Sequence, residues 1–230
     1  MVTFTFEKKN KLLEQIEWHR DNDMIAQGSY DNGKEGKERR FCAVGCSIHS
    51  LNILEGKDLE TDDHKSYEGE LGIPEAIAYL EDTIFEGLPK EKALLWPGQF
   101  ITAVNPEADL SLVLPKFYLK LLLDKDHGVK QWALEDGKKA IDMVALVHEN
   151  HIKTGTLDES AARSAWSAAE SAARSAAESA ARSVVRSAWL VWSARSAAES
   201  AAWSAAWSAA ESAHYEWLAE VLLEILQETN

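Results

Sequence analysis

The chain has two cysteines in 230 residues, Cys42 and Cys46, four positions apart. Two such thiols cannot build the disulfide framework of a small secreted fold, so a reducing cytoplasm is expected. No apolar run approaches 18 residues, so no membrane-spanning helix is expected. No basic stretch precedes an apolar one near Met1, so no secretory leader is expected. Positive charge is scarce: 24 Lys and Arg face 38 Asp and Glu, a net charge of −14. Neutralising a phosphate backbone needs clustered cations, so direct nucleic-acid binding is not expected. The same excess of acid opposes attraction to anionic lipid. Walker, G-x-G-x-x-G and H-E-x-x-H motifs are missing, and no cofactor or resident metal is expected. What remains is ordinary globular material, 46% hydrophobic and 27% charged.

Glycine and proline are also unevenly spread. All 12 glycines and all 5 prolines precede Thr156, and none follows. The chain therefore divides into a varied part, 1–155, and a tail, 156–230, built on Ser-Ala-Ala-X with X as Trp, Arg or Glu. Examples are Ser167-Ala-Ala-Glu170, Ser171-Ala-Ala-Arg174 and Ser204-Ala-Ala-Trp207. Ala has the highest helix propensity, with Arg and Glu close behind, so the tail reads as helix. Thr156 or Asp158 can cap its start after a stop at Gly155. A four-residue step turns about 400°, so equivalent positions drift about 40° per repeat. The period breaks near Ser187–Ser193 and at Ser193–Ser196. Glu170, Arg174, Glu178 and Arg182 form an i, i+4 ladder of alternating charge. About 70 residues in one helix span on the order of 105 Å, so the tail either projects and self-associates or folds back near 187–195. Trp166, Trp189, Trp192, Trp203, Trp207 and Trp217 supply the bulk that Ala lacks. Left exposed they invite aggregation, so a partner helix or the N-terminal part is expected to cover them.

The first 155 residues also read as helical, giving an all-α protein of five or six helices before the long tail helix. Phe4 and Phe6 flank a short strand. Leu12, Leu13, Ile16 and Met24-Ile25 suit a helix over 8–27 that stops at Gly28. A polar loop, Ser29–Arg40, leads to a helix over 43–54, and a second polar loop runs to Gly72. Pro74 opens a helix with the stripe Ile77, Leu80 and Ile84, ended by Gly87. A helix over 90–103 is interrupted at Trp96-Pro-Gly98. Asp109 caps a helix bent at Pro115, and Asp136 starts the last one before Gly155.

Chemistry concentrates in Phe41-Cys-Ala-Val-Gly-Cys-Ser-Ile-His-Ser50. On a helix Cys42, Cys46 and His49 share one face at i, i+4, i+7. Three readings stay open. A thiol near a helix N-terminus is acidified, and His49 lies one turn from Cys46, which suits a nucleophile. Cys-x3-Cys-x2-His supplies three zinc ligands, awkwardly placed for a tetrahedron. Small Cys, Ala, Val and Gly side chains also suit a crowded core. Just upstream, Lys34, Lys37, Arg39 and Arg40 form the one basic cluster of an acidic chain. With the free N–H groups of the following helix, they suggest a site for a small anionic or nucleotide-like ligand, with Tyr30 and Ser47 as further contacts.

The run Gly28-Ser-Tyr30, Cys42-Ala-Val-Gly-Cys-Ser-Ile-His-Ser50, Leu71-Gly-Ile-Pro-Glu75, Leu80-Glu-Asp82, Ile84-Phe-Glu-Gly-Leu-Pro89, Trp96-Pro97 and Ala108-Asp-Leu-Ser111 resembles a family of uncharacterised phage and prophage proteins. Those also often end in an Ala-rich helix. The resemblance covers nearly the whole chain, and it implies an accessory protein acting in a bacterial host cytoplasm, with no activity attached to it. The expectation is a binding protein, including a counter-defence role, that forms a homo-oligomer and engages a host protein or a small anion. Two alternatives are a cysteine hydrolase or transferase using Cys46 or Cys42 with His49, and an acidic mimic of nucleic acid.

Overall fold

The structure is a computed structural model. It describes residues 4–28, 34, 38–133, 135–165, 167 and 197–229, with the backbone alone for Trp132 and for 197–211. It is all-α. The helices are α1 (Phe6–Asp21), α2 (Ala43–Glu55), α3 (Lys65–Leu71), α4 (Glu75–Gly87), α5 (Lys90–Ala93), α6 (Trp96–Ala103), α7 (Val113–Leu123), α8 (Glu135–Thr154) and α9 (Ala197–Glu228). Short 3-10 turns cover Leu110–Leu112 and Val129–Trp132. Among the described residues no helix is long and apolar enough to cross a membrane. The Ser-Ala-Ala-X ladder, Trp166, Trp189, Trp192 and the break near 187–195 lie outside the described residues.

Two compact units emerge: Met1–Val113 with Ser212–Asn230, and Leu114–Glu211. In the first, α2 is the hub and packs against α1, α4 and α6. Its side chains from Ala43 to Ile48 are all buried, as are Leu12, Phe41, Ile77, Phe85, Trp96 and Phe100. Each such Leu, Ile or Phe contributes roughly 1.5–3 kcal/mol by leaving water. Lys9 fastens α1 to the end of α6, its Nζ donating to the carbonyls of Thr102 and Val104 at 2.7 Å each. Those are C-terminal carbonyls that the helix itself leaves unanswered. The last stretch of α9 belongs to this unit. Leu218, Val221, Leu222, Ile225 and Leu226 are buried, Glu216 pairs with Lys92 at 3.0 Å, and the Tyr215 ring lies directly against Gly87.

In the second unit Tyr118 packs on His148, ring centroids 5.1 Å apart. Asp124 shapes the turn that carries His127, accepting from the N–H groups of Asp126 (3.0 Å) and His127 (2.8 Å). Asp158 starts the next helical turn by accepting from Ser160 and Ala161.

Several boundaries differ from the sequence expectations. Phe4 and Phe6 form no strand: Thr5 caps α1, its side chain accepting from Lys8 N–H at 3.1 Å. That helix ends at Asp21 rather than 27, and Met24-Ile25 leave it so that Ile25 makes a parallel bridge with Phe41. The polar stretch before Gly72 contains α3, since Lys65–Leu71 buries Ser66, Tyr67 and Leu71 on one side. The break within 90–103 falls at Leu94-Leu95, because Pro97 sits in the first turn of α6, where its missing N–H costs nothing. Pro115 likewise lies in the first turn of α7 rather than bending it.

Gly87 has no room for a methyl group, because a Cβ there would overlap the Tyr215 ring. Gly87→Ala is expected to destabilise the chain by about 1–3 kcal/mol in urea unfolding, with part of the loss restored in Gly87→Ala/Tyr215→Ala. A full-sized loss in the double variant would show that the contact is not made.

Candidate functional site

The start of α2 is built from the inside. Cys42 is its N-cap, and Sγ accepts from Gly45 N–H at 3.3 Å. The Asp82 carboxylate lies near this cap, close to the Cys42 thiol and the Val44 N–H, and its buried Oδ1 has no hydrogen-bond partner among the described residues. Cys46 N–H reaches Cys42 O at 2.9 Å. The helix N-terminus that the sequence suggested for a ligand is therefore turned into the core, where Ala43, Val44 and Gly45 are buried.

Behind this cap lies a polar cluster shared by α2, α3 and α4. His64 Nε2 faces Asp82 Oδ2 at 3.7 Å, and its ring stacks on Tyr79 with centroids 3.9 Å apart. Nδ1 of His64 lies 3.1 Å from Asp62 O. The Tyr67 hydroxyl sits beside Ser47 and Glu81, and Trp96 Nε1 donates to Glu81 O at 3.0 Å. Glu81 and Tyr67 are completely buried. Burial raises the pKa of the Glu81 carboxyl well above the usual carboxylate range, and it raises the Tyr67 phenol as well. Asp82 is pushed up by burial, against the opposing influence of the neighbouring Cys42 thiol and His64.

A second polar pair closes the other side of α2. His19 Nδ1 lies 2.7 Å from Gln15 O, so that nitrogen carries the proton, and Nε2 accepts from His49 Nδ1 at 2.7 Å. His49 stacks on Phe41 with centroids 4.4 Å apart. Desolvation lowers the pKa of His19.

These contacts decide the fate of the motif residues. Cys42 and Cys46 are wholly buried. Their thiols are pushed far above their ordinary pKa by desolvation first and by the neighbouring acids second. A thiol that stays protonated is a poor nucleophile, and Nδ1 of His49 is engaged with His19. Among the described residues no group of three His, Cys, Asp or Glu side chains is arranged to hold a metal ion. Ser47 belongs to the core and does not face a ligand. Arg39 lies over the Phe41 ring, 4.9 Å from its centroid, and Lys34 pairs with Glu38 at 3.3 Å. Lys37 and Tyr30 lie outside the described residues.

Arg40 is half-buried, and its Nη1 donates to Arg39 O at 2.9 Å. It lines a cleft of about 530 Å³ with Asp23, Gln27 and Lys90 over an apolar base of Ile25, Phe85, Ala93 and Leu94. The two ends of the basic loop meet there, since Ala26 N–H donates to Phe41 O and Phe41 N–H to Met24 O, both at 2.8 Å. Gln27 caps α4 with hydrogen bonds to Phe85 O (2.7 Å) and Leu88 O (2.8 Å). Asp23 has φ 54°, the left-handed conformation that suits glycine and costs other residues about 1 kcal/mol.

Sequence reasoning offered His19 only as a candidate fourth zinc ligand, and it missed Tyr67, Glu81, Asp82, Asp23 and Lys90. Glu81 had a visible signal: it lies four residues after Ile77 and three before Ile84, the inward position of α4 that Leu80 was expected to hold. Comparison with known protein families, curated proteins and solved structures returns no match for the chain.

Native protein is expected to leave iodoacetamide unreacted at pH 7, with both thiols labelled after unfolding. Fast native labelling of either would restore the nucleophile reading. Glu81 sets a pH slope: its folded pKa is raised, so the stability it contributes is full below the unfolded carboxyl value and is lost as pH rises toward the folded one. Glu81→Gln should remove a loss of up to about 1.4 kcal/mol per pH unit across that window. The slope of His19 runs the other way, with stability lost as pH falls below about 6.5.

Proposed function

We propose that this chain is a phage-encoded accessory protein that acts in the host cytoplasm by binding rather than by catalysis. The observation that carries this reading is the division between a closed core and an open cleft. Every candidate nucleophile of the motif is buried in the core, while Arg40 and Lys90 line a surface cleft of about 530 Å³ above an apolar base. Two cations beside apolar walls suit a small anion with some body to it. In a chain of net charge −14, long-range attraction for anions is weak, so recognition depends on contacts inside the cleft. A small anionic signal fits this better than an extended polyanion. Interference with a host function, including defence, follows from sequestering such a molecule. Self-assembly through the Ala/Ser helix accompanies this reading, because the small side chains allow close helix approach.

Two measurements test the proposal. Arg40→Ala/Lys90→Ala should weaken inorganic phosphate or nucleoside monophosphate binding at least tenfold in calorimetry, about 1.4 kcal/mol, without lowering Tm. Unchanged affinity would remove the cleft from the function. Light scattering of the full chain should give a mass above the 25.6 kDa of one copy, and a monomer at all concentrations would remove the assembly.

A further inference from the structure

Among the described residues four helix ends use a left-handed residue. Three of them, at Gly56, Gly72 and Gly155, use glycine with φ of 63°, 65° and 71°. The end of α1 uses Asp23 at φ 54°. Local geometry there asks for nothing acidic: Asp23 N–H reaches Arg20 O at 3.1 Å and Met24 N–H reaches His19 O at 2.9 Å, a termination that glycine makes with less strain. The carboxylate is exposed, and it lines the same cleft as Arg40 and Lys90. The cleft therefore combines two cations with one strained, solvent-facing acceptor.

A ligand that uses both ends must carry an anionic group for the cations and hydrogen-bond donors for the carboxylate. Vicinal hydroxyls supply two such donors to one carboxylate, as ribose does in dinucleotide sites. The aromatic side chain lining the cleft, Phe85, is completely buried. It presents no face on which a nucleobase can stack, so among the described residues the cleft offers contacts to a phosphate and to hydroxyls and none to a base. We propose that the cleft takes a sugar phosphate, with the phosphate between Arg40 and Lys90 and the sugar hydroxyls on Asp23. This deepens the anion-binding reading and rests on it.

Calorimetry on the full chain tests it with four probes: inorganic phosphate, ribose 5-phosphate, 2-deoxyribose 5-phosphate and O-phosphoethanolamine. Ribose 5-phosphate should bind about tenfold or more tighter than inorganic phosphate, with the deoxy sugar in between. Asp23→Asn, which tolerates the same backbone, should bring ribose 5-phosphate down to the level of inorganic phosphate while leaving inorganic phosphate unweakened. Asp23→Gly should lose the same preference and raise Tm, showing that the loss is not unfolding. Equal binding of ribose 5-phosphate and inorganic phosphate by the native chain overturns the sugar reading and leaves the anion reading intact. So does a preference that survives Asp23→Asn. Tighter binding of O-phosphoethanolamine than of ribose 5-phosphate overturns it in favour of an ammonium on Asp23. Absence of binding by all four probes overturns both readings.

Discussion

The N-terminal donors of α2 have to be answered inside the core, and the rest of the first unit follows from how that is done. A helix start buried without partners is costly, because each orphaned N–H forfeits about 1–3 kcal/mol. Cys42 Sγ answers the Gly45 N–H, and the Asp82 carboxylate lies close by. Asp82 comes near Val44 because α4 packs on α2, and the adjoining Glu81 is thereby carried into the core beside Tyr67 and Ser47. Glu81 cannot stay ionised there at ordinary cost, so its pKa rises, and the cluster stands as a largely neutral set of buried polar groups in which Ser47 Oγ, Tyr67 Oη and both Glu81 carboxyl oxygens have no hydrogen-bond partner among the described residues. The burial of the thiols, their resistance to ionisation and the buried helix start are thus one fact seen from three residues.

How far the sequence reveals this depends on the kind of signal. Helix class was readable because glycine and proline punctuate the varied part and vanish from the tail. The Ala43–Glu55 helix came out within a residue of its expected end because Gly56 marks it. Boundaries set by tertiary contact were not readable. Met24-Ile25 continue the apolar spacing of α1, yet they leave the helix because backbone pairing with Phe41 joins the two ends of the basic loop. The short α3 was hidden by its acidic surroundings, and only the burial of Tyr67 and Leu71 discloses it. The apolar face of α4 was read one position off: an acid in a stripe of Ile and Leu looks like a boundary, whereas here it is the inward residue.

The site followed the same logic. Spacing placed Cys42, Cys46 and His49 on one helix face, but spacing carries no information about what covers that face. His19, thirty residues before His49, supplies the ring that takes its Nδ1 proton, and α4 supplies the acids that suppress the thiols. Long-range partners of this kind have no local signature. Arg40 was found because a basic cluster stands out in an acidic chain. Asp23 and Lys90 were not, since single charges on a helix end and a short helix resemble any solvated surface.

Core and cleft are mechanically one object, and this favours binding by a preformed site. Phe41 joins them: its ring stacks on His49 in the core, while its backbone pairs with Met24 and Ala26 at the base of the cleft. Arg40 precedes it directly, and Asp23 precedes Met24. The cation and the carboxylate therefore sit on two backbone segments held together by hydrogen bonds of 2.8 Å, each anchored to buried neighbours. Gln27, bonded to the carbonyls that end α4, fixes the third side. Charged groups that stand on paired backbone lose little freedom on meeting a ligand, and that saving in ordering entropy is what the proposed binding of a small anion by an acidic protein requires. In that proposal the polar core contributes by position alone. It keeps the backbone under Arg40 and Asp23 in place, and it keeps its own reactive groups out of reach.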